Sequence, residues 1–410
     1  MSAPSPPPGI ELTGIDPDEF PAWLQAFSVV FGMTTPADRI ERSRGVLEQD
    51  RIIAARDATG GIVGTSAIYS FRMALPGQVD VACAGVTLVS VRADHRRRGV
   101  LSRMMHELLD QADERGEPVA ALWASETPIY GRFGFGPAAP TVDVELRRDQ
   151  AALTLDGPVH EIRLVDVEVA REHFPPLYDR YRRTRPGAMT YSDAWWDNRI
   201  LAASASAAAE SGPLRLAWLP DRGYATYRVK VDWGDEGAAG RVQVEELVGL
   251  DPAAVAALWR FVIDTDLTTT TAAIRRPIDD PLFELLTDRG RARVTESMAL
   301  QLRLVDLPAA LMARRYLADG VHVLQVHDAF RPRNDGRWAV VVQDGRVQVE
   351  RTDLPADLDL DVTALATVAL GGVRATQLHA AGRVTGDPRA AVALDRTLAT
   401  DVAPWHGGMF

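Results

Sequence analysis

In "DEFPAWLQAFSVVFG" the apolar residues Phe20, Trp23, Leu24, Phe27 and Phe31 recur at spacings of three and four, which predicts a helix with one buried face. The pattern then changes period. "RIIAAR", "ATGG" and "IVGTSAIYSFRM" read as strand, Gly-marked turn and strand, and "VDVACAGVTLVSV" as a further strand. In "GVLSRMMHELLDQADERG" Val100, Leu101, Met104, Met105, Leu108 and Leu109 form an apolar stripe, so this segment is a helix with Gly116 as its stop. "PVAALWAS" is a short buried strand, and "TVDVELRRD" closes the first segment as a strand.

The composition shifts at "AALTLDGPVHE", which reads as a linker. The strands "GYATYRVKVDW" and "RVQVEELVGL" and the helix "PAAVAALWRFVIDTD" belong to a second segment. A third opens with "MALQLRLVDLPAALMARRY" and continues through "GVHVLQVHD", "GRWAVVVQDGRVQVERT" and two alanine-rich helices. The expected domains are residues 1–150, 151–297 and 298–410.

At 410 residues the chain has room for two or three domains, and 46% hydrophobic with 25% charged residues is the balance of a globular protein. The net charge of −11 argues against a nucleic-acid partner and favours cationic ligands, or simply solubility. A single cysteine, Cys83, allows no internal disulfide and reads as a small buried hydrophobe. The lead "MSAPSPPPGIELTG" has no signal-peptide pattern and reads as Pro-rich and disordered; no apolar run is long enough to span a membrane. The expected location is cytoplasmic, with no membrane partner.

Chemistry concentrates in "VTLVSVRADHRRRGVLSRMM". Arg96, Arg97 and Arg98 sit where a helix begins, at the end that already carries partial positive charge. Gly99 lets the chain turn, and the following N–H groups form an anion cradle suited to a pyrophosphate. A solvated basic patch fits the spacing equally well. His95 is expected to be solvated. The eight histidines show no metal spacing, and His322 and His327, five apart, face opposite sides of a strand. Trp195 and Trp196 read as packing residues.

A strand, R-x-x-G-x-[GAL] and a helix resemble the acetyl-CoA motif of the GNAT N-acetyltransferases. "VSVRADHRRRGVL" followed by "VAALWASETPIYGRFGFGPA" resembles the enhanced intracellular survival (Eis) acetyltransferases in particular, and the likeness runs through "GYATYRV" and "LPAALMARRY" to the C-terminus. This implies an α/β and α+β fold: two tandem GNAT folds of mixed sheets flanked by helices, the second without a cofactor motif, then a sterol-carrier-like domain. It also implies a homohexamer, acetyl-CoA as cosubstrate, no metal, and a small-molecule primary amine as acceptor (aminoglycoside, polyamine-like or lysine-type).

The resemblance assigns Val89, Ser90 and Val91 to the strand whose backbone pairs with the cofactor's pantetheine arm. It assigns Arg96, Arg97, Arg98, Gly99, Val100, Leu101 and Ser102 to the pyrophosphate loop. Ser125 and Glu126 match positions near the cofactor, although Ser125 also suits a helix cap. Tyr130 matches the general acid; packing with Phe133 and Phe135 is its plain alternative. Phe410 matches the residue whose terminal carboxylate serves as base, with His406 as a partner that could orient it and the glycines of "HGG" letting the tail turn inward. Met33 and Met409 stand where the family's aminoglycoside-acetylating members carry acids, which points to weaker binding of polycations. The rival expectation is a non-catalytic acyl-CoA or lipid carrier built on an apolar tunnel in the third segment.

Overall fold

A computed structural model describes residues 9–202, 205–235 and 237–410. The Pro-rich lead lies, up to residue 8, outside the described residues. The chain forms two compact units. The first contains residues up to Ala139, Leu300–Asp401 and Met409–Phe410; the second contains Pro140–Ala299 and Val402–Gly408.

In the first unit a mixed sheet runs in the order Glu11–Thr13, Ile52–Arg56, Ile62–Leu75, Val79–Val91 and Val119–Trp123, followed by residues 300–304 of the strand Arg293–Leu304. Among the described residues of this sheet only Val79–Val91 and Val119–Trp123 are parallel neighbours. A parallel pair needs a crossover, and the helix Val100–Glu114 supplies it. Its buried residues, among them Met104, Met105, Leu108 and Leu109, join Ile53, Val63, Ala84, Val86, Ala120 and Leu122 in one apolar cluster. The stop at Gly116 is a Schellman motif: Gly116 N–H donates to Asp113 C=O and Glu117 N–H to Ala112 C=O.

The helix Phe20–Val30 buries Phe20, Trp23, Leu24 and Phe27. Phe31 does not continue that stripe as expected; the helix ends one residue earlier and leaves it 41% exposed. A separate five-stranded sheet runs Arg346–Arg351, Gly336–Gln343, Gly320–His327, Leu358–Asp361, Val384–Gly386. Beside it form three helices rather than the expected two, Val362–Val368, Ala375–Ala380 and Pro388–Leu398, because Gly371 and Gly382 interrupt the alanine-rich run. His322 is buried with Nε2 2.9 Å from Thr397 Oγ1, and His327 is exposed beside Asp359, so the two do face opposite sides.

In the second unit the strand order is residues 293–299 of Arg293–Leu304, residues 140–147 of Gly136–Arg147, Thr268–Pro277, Gly240–Gly249, Gly223–Lys230, Leu214–Leu219, Arg163–Val165. Gly240–Gly249 and Thr268–Pro277 are a parallel pair, crossed over by the helix Pro252–Ile263. Trp195 and Trp196 are buried, as expected of packing residues.

Candidate acetyl-donor site

The two parallel strands of the first unit stay together only briefly. Cys83, Ala84 and Gly85 pair with Val119, Ala120 and Ala121, and the ladder stops there. Beyond this point residues 86–91 continue against Ile62–Leu75 alone, so the strands part as a fork. A β-bulge accompanies the parting: the register shifts between Thr65 and Ala67, and Leu88 takes a left-handed φ of 50°. Thr65 secures it, its Oγ1 donating to Leu88 C=O at 2.8 Å and lying 2.8 Å from Ser90 Oγ. The Ser90 side chain is therefore turned into the sheet, and only its backbone is left for a ligand. Val89 and Val91, partly buried, lie along the same arm of the fork. Thr65 has no sequence motif to announce it.

The arm of the fork leads into the arginine loop. Ala93–His95 forms one 3₁₀ turn, Arg97 has φ 61°, and Gly99 has φ 79° as the residue before the helix. Two left-handed residues so close together turn successive N–H groups toward one side. The first helical bond runs from Arg103 N–H to Gly99 C=O, which leaves the N–H groups of Val100, Leu101 and Ser102 at the helix mouth. Val100 is nonetheless buried by its side chain, while Leu101 and Ser102 are partly exposed.

Arg96, Arg97 and Arg98 are exposed and, among the described residues, make no ion pair. The neighbouring charges are already committed. Arg92 Nε donates to Asp94 at 2.7 Å and holds that carboxyl well below the usual range, with a second hydrogen bond from His95. His95 is consequently buried, against the expectation of a solvated ring: the 3₁₀ turn folds its Nδ1 to 3.0 Å from Asp94. Arginines without an ion pair, open N–H groups and a strand edge with no ladder partner among the described residues fit a pyrophosphate with an extended amide arm.

Tyr130 belongs to the short helix Pro128–Gly131 and is 7% exposed. It lies in the apolar cluster of Ala84, Val86, Ala120 and Leu122, with Phe135 edge-on at 6.2 Å between ring centroids. Burial, and then the nearby Glu126 charge, push its phenol up to about 12. Ser125 and Glu126 are exposed in the turn before this helix. Ser125 is not its cap, since Thr127 holds that position with no side-chain hydrogen bond.

Along Val79–Val91 side chains alternate, so Cys83 and Gly85 point away from the Tyr130 face. On that opposite face the Phe410 ring stands edge-on to Phe71 at 5.1 Å and to Tyr69 at 6.5 Å. Gly85 is the last residue before the strands part, and a Cβ there would come within 2.5 Å of the Phe71 ring and 3.4 Å of the Phe410 ring. A glycine inside a strand pattern is the signal that reveals this close approach. Cys83 is fully buried, as expected, and burial raises its thiol. Met33 is 36% exposed and Met409 65%.

The second unit repeats the fork without the anion cradle. Its parallel ladder ends at Val244 and Ala273, with a bulge in each strand just beyond. At the following helix an acid replaces the arginine loop: Asp251 caps Ala254 N–H at 3.0 Å and pairs with Arg222 at 2.6 Å. A carboxylate at that helix mouth repels a pyrophosphate. Among the described residues no helix is long and apolar enough to cross a membrane, and no group of three or more His, Cys, Asp or Glu is placed to hold a metal ion.

Residues 11–138 and 187–304 each match the Acetyltransferase (GNAT) domain, and residues 307–407 match the Sterol carrier protein domain. An uncharacterized N-acetyltransferase of Streptomyces coelicolor is 39% identical, over 95% of this chain and 97% of its own. N-acetyltransferase Eis of Mycobacterium tuberculosis is 36% identical, over 88% of this chain and 89% of its own. The crystal structure of Eis1 from Mycobacterium abscessus superposes with a TM-score of 0.86 at 32% identity, covering 98% of this chain and 100% of that one.

Proposed function

Since the chain belongs to the Eis family of GNAT N-acetyltransferases, we propose that it transfers the acetyl group of acetyl-CoA directly to a primary amine of a small molecule. The observation that carries this reading is the fork between Val79–Val91 and Val119–Trp123, with the arginine loop at its end and Tyr130 and Phe410 on its two faces.

In this reading the cofactor's pyrophosphate lies on residues 97–102, with Arg96 adding charge, and its pantetheine arm pairs with the backbone of Val89, Ser90 and Val91. Ser125 and Glu126 border the thioester end. The neutral amine attacks the thioester carbonyl, whose oxygen is held by strand N–H groups near Val89. Attack makes the nitrogen strongly acidic, so even a weak base can take its proton; the Phe410 carboxylate is that base. The C–S bond then breaks, sulfur keeps the electron pair, and Tyr130 protonates the thiolate and recovers its proton from solvent. Amine and leaving thiolate occupy opposite faces of the sheet, and acid and base need not exchange places.

The lipid-carrier reading would need a wide apolar tunnel in the third segment. The cavity lined by Leu302, Leu304, Leu311 and Leu370 amounts to about 10 Å³, far too small for an acyl chain. The test is thiol release from acetyl-CoA against a panel of amines. Release should depend on the amine and fall about 10²-fold or more in Tyr130→Phe with cofactor affinity kept. With Met33 and Met409 in place of acids, aminoglycosides should be poorer substrates here than for the family's aminoglycoside-acetylating members. Amine-independent release, or a Tyr130→Phe variant as fast as the parent, overturns the reading.

A further inference from the structure

The second fork is not empty. Its strands part beyond Val244 and Ala273, and parting strands expose backbone acceptors that a regular ladder would satisfy. Two of these are met from within the unit. Arg276 Nη1 donates to Leu247 C=O at 3.0 Å, and the indole Nε1 of Trp405 donates to Arg275 C=O at 2.6 Å. Trp405 is 2% exposed and His406 is fully buried, so residues 402–408 are an inserted segment.

Further bonds fix this segment along its length. Ala403 N–H donates to Asp279 at 2.9 Å, Trp405 N–H to Pro186 C=O at 2.8 Å, and Arg275 Nε to Gly407 C=O at 2.7 Å. Tyr181 stands edge-on to the indole at 5.6 Å. Gly407 and Gly408 are not there for flexibility, as the sequence suggested. A Cβ at Gly407 would meet the Trp405 ring at 2.4 Å, and one at Gly408 the Tyr191 hydroxyl at 2.3 Å. The segment is fitted.

Arg275 grips it twice, with its own carbonyl and with its guanidinium. It can do so because it lies in the bulge with a left-handed φ of 50°, and its N–H, turned out of the ladder, donates to Asp143 at 2.7 Å. A bulky residue persists in that conformation only where its surroundings hold it.

We infer that the second GNAT fold has converted its cofactor fork into a clamp for the chain's own residues 403–407, and that Arg275 and Trp405 are positioning residues for Phe410. Gly407 is three residues from Phe410, so holding its carbonyl limits the last residue to a reach of about 10 Å. The clamp stands on this geometry alone; its catalytic meaning rests on the reading of Phe410 as the base.

The test uses the full chain. Arg275→Gly accepts the left-handed backbone and removes the whole side chain with its guanidinium; Arg275→Lys keeps the stem and a donor. Release of Phe410 by carboxypeptidase, acetyl-CoA affinity and kcat are measured on the parent, both variants and a Phe410 deletion. In Arg275→Gly release should quicken and kcat fall, each at least tenfold, with acetyl-CoA affinity unchanged and partial recovery in Arg275→Lys. An unchanged release rate overturns the clamp. Faster release with parental kcat, where the Phe410 deletion is inactive, overturns the positioning role. A fully active Phe410 deletion would refute Phe410 as base, and release rates would still decide the clamp.

Discussion

Glu246 shows how much a single side chain can depend on neighbours far along the chain. It is 8% exposed, accepts from the Tyr224 hydroxyl at 2.5 Å, and burial pushes its carboxyl up to about 7, with Tyr224, Arg276 and Arg275 pulling the other way. The folded group thus titrates above its unfolded value of 4.5, so its contribution to stability is complete below that pH and is lost as the pH rises through about 7. Buried His406, lowered to about 3 first by burial, has the opposite slope: complete above 6.5, lost as the pH falls. Comparing Glu246→Gln with the parent isolates the glutamate. The variant should gain on the parent between pH 5 and 8 by an amount on the order of 3 kcal/mol, read from urea midpoints. Superimposable profiles would refute this. Nothing in "VQVEELVG" announces a raised acid, because the raising comes from burial. Tyr130, by contrast, is singled out by its motif, whereas its raised phenol comes from burial and has no mark in the sequence.

At the scale of elements, alternation in "VDVACAGVTLVSV" and the 3.6-residue stripe in "GVLSRMMHELLDQADERG" were enough to find the strand and helix that frame the site. The fork between the strands was not legible from periodicity, because it is a property of pairing: three residue pairs, then none. The left-handed Leu88 that accompanies it looks like any strand leucine in sequence. The turn at Gly99 was legible, and its φ of 79° gives it a measurable consequence. Gly99→Val must strain the backbone by about 1–2 kcal/mol or more, or abandon the turn that aims the N–H groups. Acetyl-CoA should bind at least tenfold more weakly by calorimetry, with secondary structure kept. Affinity within twofold of the parent would remove the pyrophosphate from this loop.

For the molecule as a whole, the expected sequence of two GNAT folds and a sterol-carrier-like domain is the one the domain matches bear out. What sequence could not show is how the first GNAT fold and the sterol-carrier-like part become one unit. Residues 300–304 pair with Val119–Trp123, and Arg331 donates to Asp110 at 2.7 Å and to Asp113 at 2.9 Å on the helix Val100–Glu114. Arg303, on that strand, is tied in turn to Asp328. Both side chains are buried, their atoms 2.5 Å apart, and Asn334 Nδ2 donates to the same carboxylate at 3.1 Å. Arg303 is held below its usual range by burial, and Asp328 is its principal compensation. Asp328→Ala should therefore cost about 3–5 kcal/mol, measured as a lower urea midpoint. An unchanged midpoint would mean the pair is dispensable. Charged residues 25 positions apart carry no sequence pattern that marks them as partners.

The three exposed arginines have a kinetic consequence. The chain carries a net charge of −11, and its cofactor is a polyanion, so the two repel at a distance. With the pyrophosphate on the arginine loop as proposed, attraction by Arg96, Arg97 and Arg98 takes over only there. At physiological ionic strength the Debye length is about 8 Å, which silences the distant repulsion and weakens the short contacts of the exposed arginines to a smaller degree. Ionic strength thus acts on encounter and on retention in opposite directions: salt eases the approach of acetyl-CoA and loosens its hold. The enzyme's response to its ionic surroundings is set by that balance, before any bond is made or broken.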